Sequence, residues 1–364
     1  MSMCVDQYHD TKLMKETMSF TLCFNSLLAI CYFCKKNPLK KILIIRFSSI
    51  GDIVLTTPVI RCIKKQMPDA VIHYLTKEKF RPILAHNPYI DALFTINKEI
   101  DEVLLDLIAE RYDFIIDLHN NLRSWRIKMA LHSPSKAINK LNFHKWVRVN
   151  LGINILPAVH IVDRYLEAAS PLEIKNDGLG LDFFLDPEMN KTKLSLPEAF
   201  QESYIAIAIG GQHKTKLYPV DQLITVCKNL KENIVLLGGP DDADNGAKIA
   251  NEVGLKVFNT CGMYTLMESA WLLHDASHVI TNDTGLMHIA AALKKDITSI
   301  WGNTIPEFGM YPYFPKDSKA ANNMIEVKNL SCRPCSKIGY KQCPKGHFKC
   351  MREIKPQTII DAIK

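Results

Sequence analysis

The stretch VITNDTGLMHIAAA, residues 279–292, runs from a short apolar strand straight into an Ala-rich helix. Val279–Thr281 is a β-branched run that breaks at Asn282 and Asp283, and Thr284 and Gly285 then open the helix. The first N–H groups of such a helix have no partner within it, and the helix dipole adds positive potential at the same end. A strand that ends in this turn therefore offers a pocket for a diphosphate. His288 lies in the turn, either as a donor to a phosphate oxygen or as a packed core histidine. The small residues Gly285, Ala290, Ala291 and Ala292 allow the helix to lie close against a sheet.

Outward from this stretch the same unit repeats. Ile42–Arg46, Val71–Leu75, Ala92–Ile96 and Asp113–Asp117 read as buried strands, and so do Tyr204–Ile209, Ile234–Leu237, Lys256–Phe258 and Thr298–Trp301. Continuous apolar runs separated by segments of helical period indicate parallel strands covered on both faces. Residues 176–200 are rich in Gly, Pro and Asp and read as a linker. The expected fold class is therefore α/β, with two Rossmann-like, doubly wound parallel-sheet domains facing across a cleft. The expected division is an extension over 1–39, a first domain over 40–175, a linker over 176–202, a second domain over 203–345 and a terminal segment with a helix over 346–364. In such sheets ligands bind outside the carboxyl ends of the strands.

Three more polar clusters fall at strand ends. Arg46-Phe47-Ser48-Ser49-Ile50-Gly51-Asp52 follows the first strand, and Asp52 projects a carboxylate from the first turn of the next helix. Capping by Ser49 or Asp52 accounts for one polar residue there. It accounts less well for two serines, a glycine and an acid at one crevice edge, so Asp52 is read as functional. Gly210-Gly211-Gln212-His213-Lys214-Thr215-Lys216 combines a glycine pair with two lysines, which suits a phosphate or a solvated loop. Gly238-Gly239-Pro240-Asp241-Asp242 places a carboxylate either for ribose hydroxyls or as a helix cap. Neither G-x-G-x-x-G nor G-x-x-x-x-G-K-[ST] occurs, which removes the main support for dinucleotide redox and P-loop chemistry.

The chain has 364 residues, with 45 Lys+Arg against 38 Asp+Glu and a formal charge of +7. That excess suits an anionic ligand or membrane surface, and no basic block points to nucleic acid. Met18–Cys34 is apolar and followed by Lys35 and Lys36; it is short of the ~20 residues that cross a bilayer and lacks a convincing signal-peptide cleavage site. It reads as a membrane-surface helix, a packed helix or an extension of little structure. Of the eleven cysteines, Cys332, Cys335, Cys343 and Cys350 form a cluster. Four thiolates in a reducing compartment are a candidate structural zinc site with His347 as a spare ligand, although the spacing departs from common zinc patterns; unliganded or paired thiols are the alternative.

The four strand-end segments, in this order and spacing, resemble those of glycosyltransferase family 9, the ADP-heptose:lipopolysaccharide heptosyltransferases. The resemblance covers about residues 40–330, with a matching terminal helix near Pro356–Ile363. It implies a GT-B fold and inversion at the anomeric carbon with no essential metal or other cofactor. It implies Asp52 as general base, Lys216 on the donor diphosphate, and Thr284, Gly285, Leu286 and His288 as the phosphate-binding turn with Asp283 beside it. Asp242, or Asp244 if the alignment slips, would hold the ribose, and Met263 or Tyr264 would lie by the adenine. The implied partners are an ADP-sugar donor and a lipid-linked anionic oligosaccharide at the inner face of the inner membrane, with a cytoplasmic, peripheral location. On the acceptor side, Ser49, Gly51, Arg61, Lys64, Lys65, Arg123 and Arg126 are candidates, against a plain solvated face for the cations. Tyr218 stands where the family often has Trp, and residues 1–39 lie outside its pattern. A GT-B nucleotide-sugar 2-epimerase, a transferase using another nucleotide sugar, and a non-catalytic sugar-nucleotide binder are the competing readings.

Overall fold

The computed structural model describes residues 41–189 and 196–363. The apolar segment 18–34 and Cys4, Cys23, Cys31 and Cys34 lie outside the described residues. The first unit runs β1 (Lys41–Ile45), α1 (Ile50–Val54), α2 (Thr57–Gln66), β2 (Val71–Lys77), β3 (Ala92–Ile96), α3 (Leu104–Ala109), β4 (Phe114–Asp117), α4 (Leu122–Leu131), β5 (Ser135–Ala137), α5 (Asn142–Asn150) and α6 (Ile161–Ala168). The second runs β6 (Ile205–Ala208), α7 (Val220–Asn229), β7 (Ile234–Leu237), α8 (Ala243–Val253), β8 (Val257–Asn259), α9 (Leu266–Asp275), β9 (His278–Asn282), α10 (Gly285–Ala292), β10 (Ile297–Trp301), β11 (Asn322–Glu326), α11 (Lys349–Arg352) and α12 (Pro356–Asp361).

Each unit holds one parallel sheet, ordered β3-β2-β1-β4-β5 in the first and β11-β10-β9-β6-β7-β8 in the second. The central strands carry no polar face because helices cover both sides: Ile42, Leu43, Ile44 and Ile45 are all fully buried, as are Ile234, Val235, Leu236 and Leu237. Ile42 and Ile44 join the core on one face of the first sheet, while Leu43 and Ile45 pack with Leu75 and Ile115 on the other. Two edge strands, β5 and β11, go unannounced in the sequence. Both are short and partly exposed, so neither carries the apolar run that betrays a central strand. The terminal helix α12 packs on α7, and Ile359 is buried in the second domain's core.

Between the sheets the chain is fastened rather than loose. Arg61 of α2 is buried, donates from Nε and Nη2 to Asp177 at 2.8 Å each, pairs with Asp182 and also donates to the Gly180 carbonyl. Its position as an acceptor contact is thereby corrected: the guanidinium is spent on tying the linker to α2. Lys64 is likewise engaged at the opposite end of the sheet from the cleft, donating to the Ala70 carbonyl at 2.8 Å and to Asp91 at 2.9 Å. Asp91 in turn accepts from the Ile72 N–H at the start of β2, so Lys64 belongs to the amino-end rim.

Candidate active site

β1 and β9 are the central strands from which the two key turns spring, and the domains meet where those turns meet. α1 follows β1 and packs directly on α10, which follows β9. The approach needs two glycines. A Cβ on Gly51 would strike the His288 ring, and one on Gly285 would stand 2.7 Å from Ile50 Cβ.

Asp52 sits at the third position of α1 and accepts hydrogen bonds from the Ser49 N–H (3.1 Å) and Ser49 hydroxyl (2.7 Å). Asp52 thus caps its own turn, and Ser49 holds the carboxylate in place. Arg46, at the end of β1, pairs with Asp52 at 2.8 Å. Burial by itself would raise the Asp52 pKa; the guanidinium of Arg46 and the bonds from Ser49 outweigh it and hold the carboxyl below its usual range. Arg46 also donates to the Ser48 and Leu118 carbonyls, which fixes it across the mouth of the first sheet.

On the other wall, Lys216 pairs with Asp283 at 2.6 Å, and the Thr304 hydroxyl donates to the same Asp283 oxygen at 2.8 Å. Thr284 caps α10 with no side-chain bond of its own to the helix, so the first-turn N–H groups receive nothing from their cap. His288 is buried, and its Nδ1 has no hydrogen-bond partner among the described residues. Desolvation pushes its pKa down to about 4, so the ring is neutral at physiological pH. The ring thus packs against Gly51 and also keeps one ring nitrogen unpartnered, so both readings of His288 stand.

Asp242 accepts from the Gly239 N–H at 2.9 Å, so it does close its own turn, and it also lies against Gly210, where a Cβ would collide with its carboxylate. Burial raises its pKa, the Gly239 bond opposes this, and Asp241 adds to it. The carboxylate stands at the ends of β6 and β7, beside the glycine pair that precedes Lys216. Met263 is largely exposed at the adjoining loop, and Tyr264 is half-buried against the core. Arg123 lies in the first turn of α4 and is partly exposed, while Arg126 points outward to Asp101 at 3.3 Å.

A model of "Glycosyltransferase family 9 (heptosyltransferase)" matches residues 103–343. The chain belongs to glycosyltransferase family 9. The transferase is 28% identical over 297 residues to lipopolysaccharide heptosyltransferase 1 of Campylobacter coli, covering 72% of this chain and 84% of that protein. In fold it is similar to a glycosyl transferase family 9 crystal structure from Veillonella parvula (TM-score 0.70, 22% identity, 89% and 96% of the two chains covered). It is similar also to the ADP-heptose lps heptosyltransferase II of E. coli (TM-score 0.68, 20% identity, 89% and 97% covered). The GT-B architecture expected from the motifs is therefore the fold of the transferase.

The structure adds cations that the sequence does not place. Lys140 and Lys145 of the first domain lie close enough to Arg46, to Asp52 and, from the second domain's side, to Lys337 to feel their charges, and burial chiefly lowers the pKa of both. Burial first, then Arg164, pushes Lys145 down to about 8. Arg164 is itself buried, with Nε and Nη1 unpartnered among the described residues and Nη2 donating to the Phe308 carbonyl at 3.0 Å. These residues are far apart in sequence, so no local motif marks them.

The cysteine-rich segment lines the same region. Tyr340 and Thr215 exchange hydrogen bonds (Tyr340 N–H to Thr215 Oγ1, 2.8 Å; Thr215 N–H to the Tyr340 carbonyl, 3.2 Å), and Gly339 packs on His213. The segment thus braces the loop that carries Lys216. Cys332 Sγ stands 3.8 Å from His347 Nε2, and burial together with the neighbouring thiols pushes Cys335 and Cys350 up, the latter to about 12. Among the described residues no three His, Cys, Asp or Glu side chains are gathered closely enough to hold a metal ion as they stand.

Proposed function

We propose that this transferase moves a heptose, or a similar sugar, from an ADP-sugar to a lipopolysaccharide-core or related glycolipid acceptor, with inversion. The observation that carries the reading is the seam itself: the turn holding Asp52 and the turn offering phosphate-binding N–H groups are packed against each other through Gly51, Gly285 and His288. An ADP-sugar is favoured by the E. coli neighbour, whose name includes ADP-heptose.

In the proposed step the acceptor oxygen forms its bond to the anomeric carbon on the face opposite the diphosphate. The bond from that carbon to the phosphate oxygen breaks, ADP leaves, and the acceptor proton passes to Asp52. A carboxylate held by Arg46 is a weak base, so it takes the proton late, once bond formation has acidified the hydroxyl. Lys216, released from Asp283, and the N–H groups around Thr284–His288 absorb the charge that develops on the leaving diphosphate. Lys145 and the unpartnered guanidinium N–H groups of Arg164 would receive an anionic group of the acceptor, which accounts for so much positive charge around a single catalytic carboxylate.

Incubation with ADP-heptose and with GDP- and UDP-sugars, with and without truncated core acceptors, tests the reading by product mass. A heptose-sized gain on the acceptor only with ADP-heptose is expected; turnover of donor without acceptor would instead establish an epimerase.

The acceptor site carries a pH signature. Lys145 is charged below about 8 and loses its charge above it, so the acceptor KM is expected to rise as pH passes through that range while ADP affinity stays level. Lys145→Met should raise KM at neutral pH and flatten the profile; an unaltered profile in this variant would remove Lys145 from the site.

The zinc reading of the four cysteines is a separate proposal. Binding would require the partly exposed Cys332, Cys335 and Cys343 to turn toward Cys350. Stoichiometric zinc in metal analysis of the purified chain supports it, and metal-free protein with full activity overturns it.

A further inference from the structure

The formal charge of the whole chain is concentrated in one stretch. Residues 118–162 contain no Asp or Glu and seven Lys or Arg (123, 126, 128, 136, 140, 145 and 148), a net +7 that equals the total. The stretch builds α4, β5 and α5. Both helices start just past the carboxyl ends of β4 and β5, neighbouring strands of one sheet, so both rise from the rim that faces the cleft.

Each helix is apolar twice over. α4 sends Ile127 into the core, yet presents Leu122, Trp125 and Met129, at intervals of three and four, to water; Leu122 is 73% exposed. α5 buries Val147 and leaves Phe143 and Trp146 exposed. Of the seventeen strongly exposed large apolar residues among those described, nine lie between Leu122 and Val159, so the patch is a local feature and not the scatter found on any surface. Of the seven cations Arg126 pairs with Asp101 at 3.3 Å and Lys128 with Asp117 at 2.9 Å, and the other five carry the excess charge of the stretch. Aromatic rings interleaved with such cations match the interface of an anionic bilayer: the rings suit the headgroup level and the cations the lipid phosphates.

We propose that the solvent faces of α4 and α5 dock this transferase on an anionic lipid bilayer, with the cleft mouth at Lys140 and Lys145 turned to the membrane. The inference rests on the glycolipid-acceptor reading for its purpose, since docking there delivers a membrane-held acceptor to Asp52 without extracting it from the bilayer. Charge complementarity selects lipid over a second copy of this chain, whose matching face carries the same sign.

Flotation of the full chain with vesicles of phosphatidylcholine alone, or of phosphatidylcholine mixed with phosphatidylglycerol, tests it. The wild type is expected to float only with the anionic vesicles and to release in high salt. The double variant Trp125→Ser with Trp146→Ser, both at exposed positions, and separately Arg126→Glu, should each lower partitioning by roughly tenfold at unchanged Tm. The double variant should keep its rate on a water-soluble truncated acceptor and lose it on a vesicle-embedded one. Residues 1–40 are present in every arm, so the difference between variants is what counts. Equal flotation of wild type and variants overturns the proposal, as does a wild type that self-associates through this face, read as a change of sedimentation in the double variant. Wild type that floats normally but transfers no sugar leaves docking intact and sinks the functional reading instead.

Discussion

Replacing Asp52 by asparagine is expected to cut sugar transfer by about 10²–10⁴-fold while ADP binding stays unchanged. The substitution is close to isosteric. The amide oxygen can keep the bonds from Ser49, which fall on one carboxylate oxygen, so the turn at the end of β1 keeps its cap. What is lost is the pairing of the other oxygen with Arg46 and the capacity to take a proton. In the proposed reaction the donor is held by the opposite wall, built by Lys216, Asp283 and the start of α10, so calorimetry with ADP should return the wild-type affinity. Because Arg46 and Ser49 hold the wild-type carboxyl below its usual range, the enzyme should keep its base ionised down through mildly acidic pH. Full turnover in the asparagine variant would remove Asp52 from the role of base.

Gly51→Val should be almost as damaging, for a reason of shape. No atom can be added at Gly51 without striking the His288 ring, and the backbone of Gly285 lies 3.5 Å from the same point. The strain has no free outlet, because one continuous apolar core joins Ile42, Val54 and Ile60 of the first domain to Ala206, Val279 and Ile289 of the second. Relief comes only by loosening this shared core, so Asp52 retreats from the turn at Gly285, and a displacement on the order of 1 Å costs about 10²-fold in rate. The expected pattern is a lowered Tm, transfer lost and a larger radius of gyration in solution. Normal transfer by Gly51→Val would mean that this packed seam is not the arrangement in which sugar moves.

The two variants separate chemistry from geometry. Asp52→Asn leaves the seam closed and removes a proton acceptor, whereas Gly51→Val keeps the acceptor and opens the seam. Acceptor affinity distinguishes them further, because Lys145 and Arg164 lie on the same side as Asp52 and are untouched by the first change.

The central strands and the polar clusters at their carboxyl ends were legible in the chain because their causes are local. A strand covered on both faces must be a continuous apolar run, as in Ile42–Ile45 and Ile234–Leu237. A turn that admits an anion or a close helix needs glycine, as at Gly210, Gly238 and Gly285. β5 and β11 escaped because edge strands lie half in water and carry mixed residues. Arg61 and Lys64 were misassigned for a related reason: a cation on a helix reads as solvated until its carboxylate partners, Asp177, Asp182 and Asp91, are brought to it from distant sequence.

The sequence by itself therefore determined the two parallel-sheet domains, the strand ends that bear chemistry and the family they signal, since each depends on residues within one turn of one another. Tertiary structure alone decided which strand ends meet. It set Asp52 under Arg46, brought His288 against Gly51, gathered Arg164, Lys337 and Asp52 around Lys145, and folded the cysteine segment against the loop of Lys216. Charges and rings from separate segments act on one another through a few ångströms of space, and that distance is fixed by packing between domains, which no local pattern encodes.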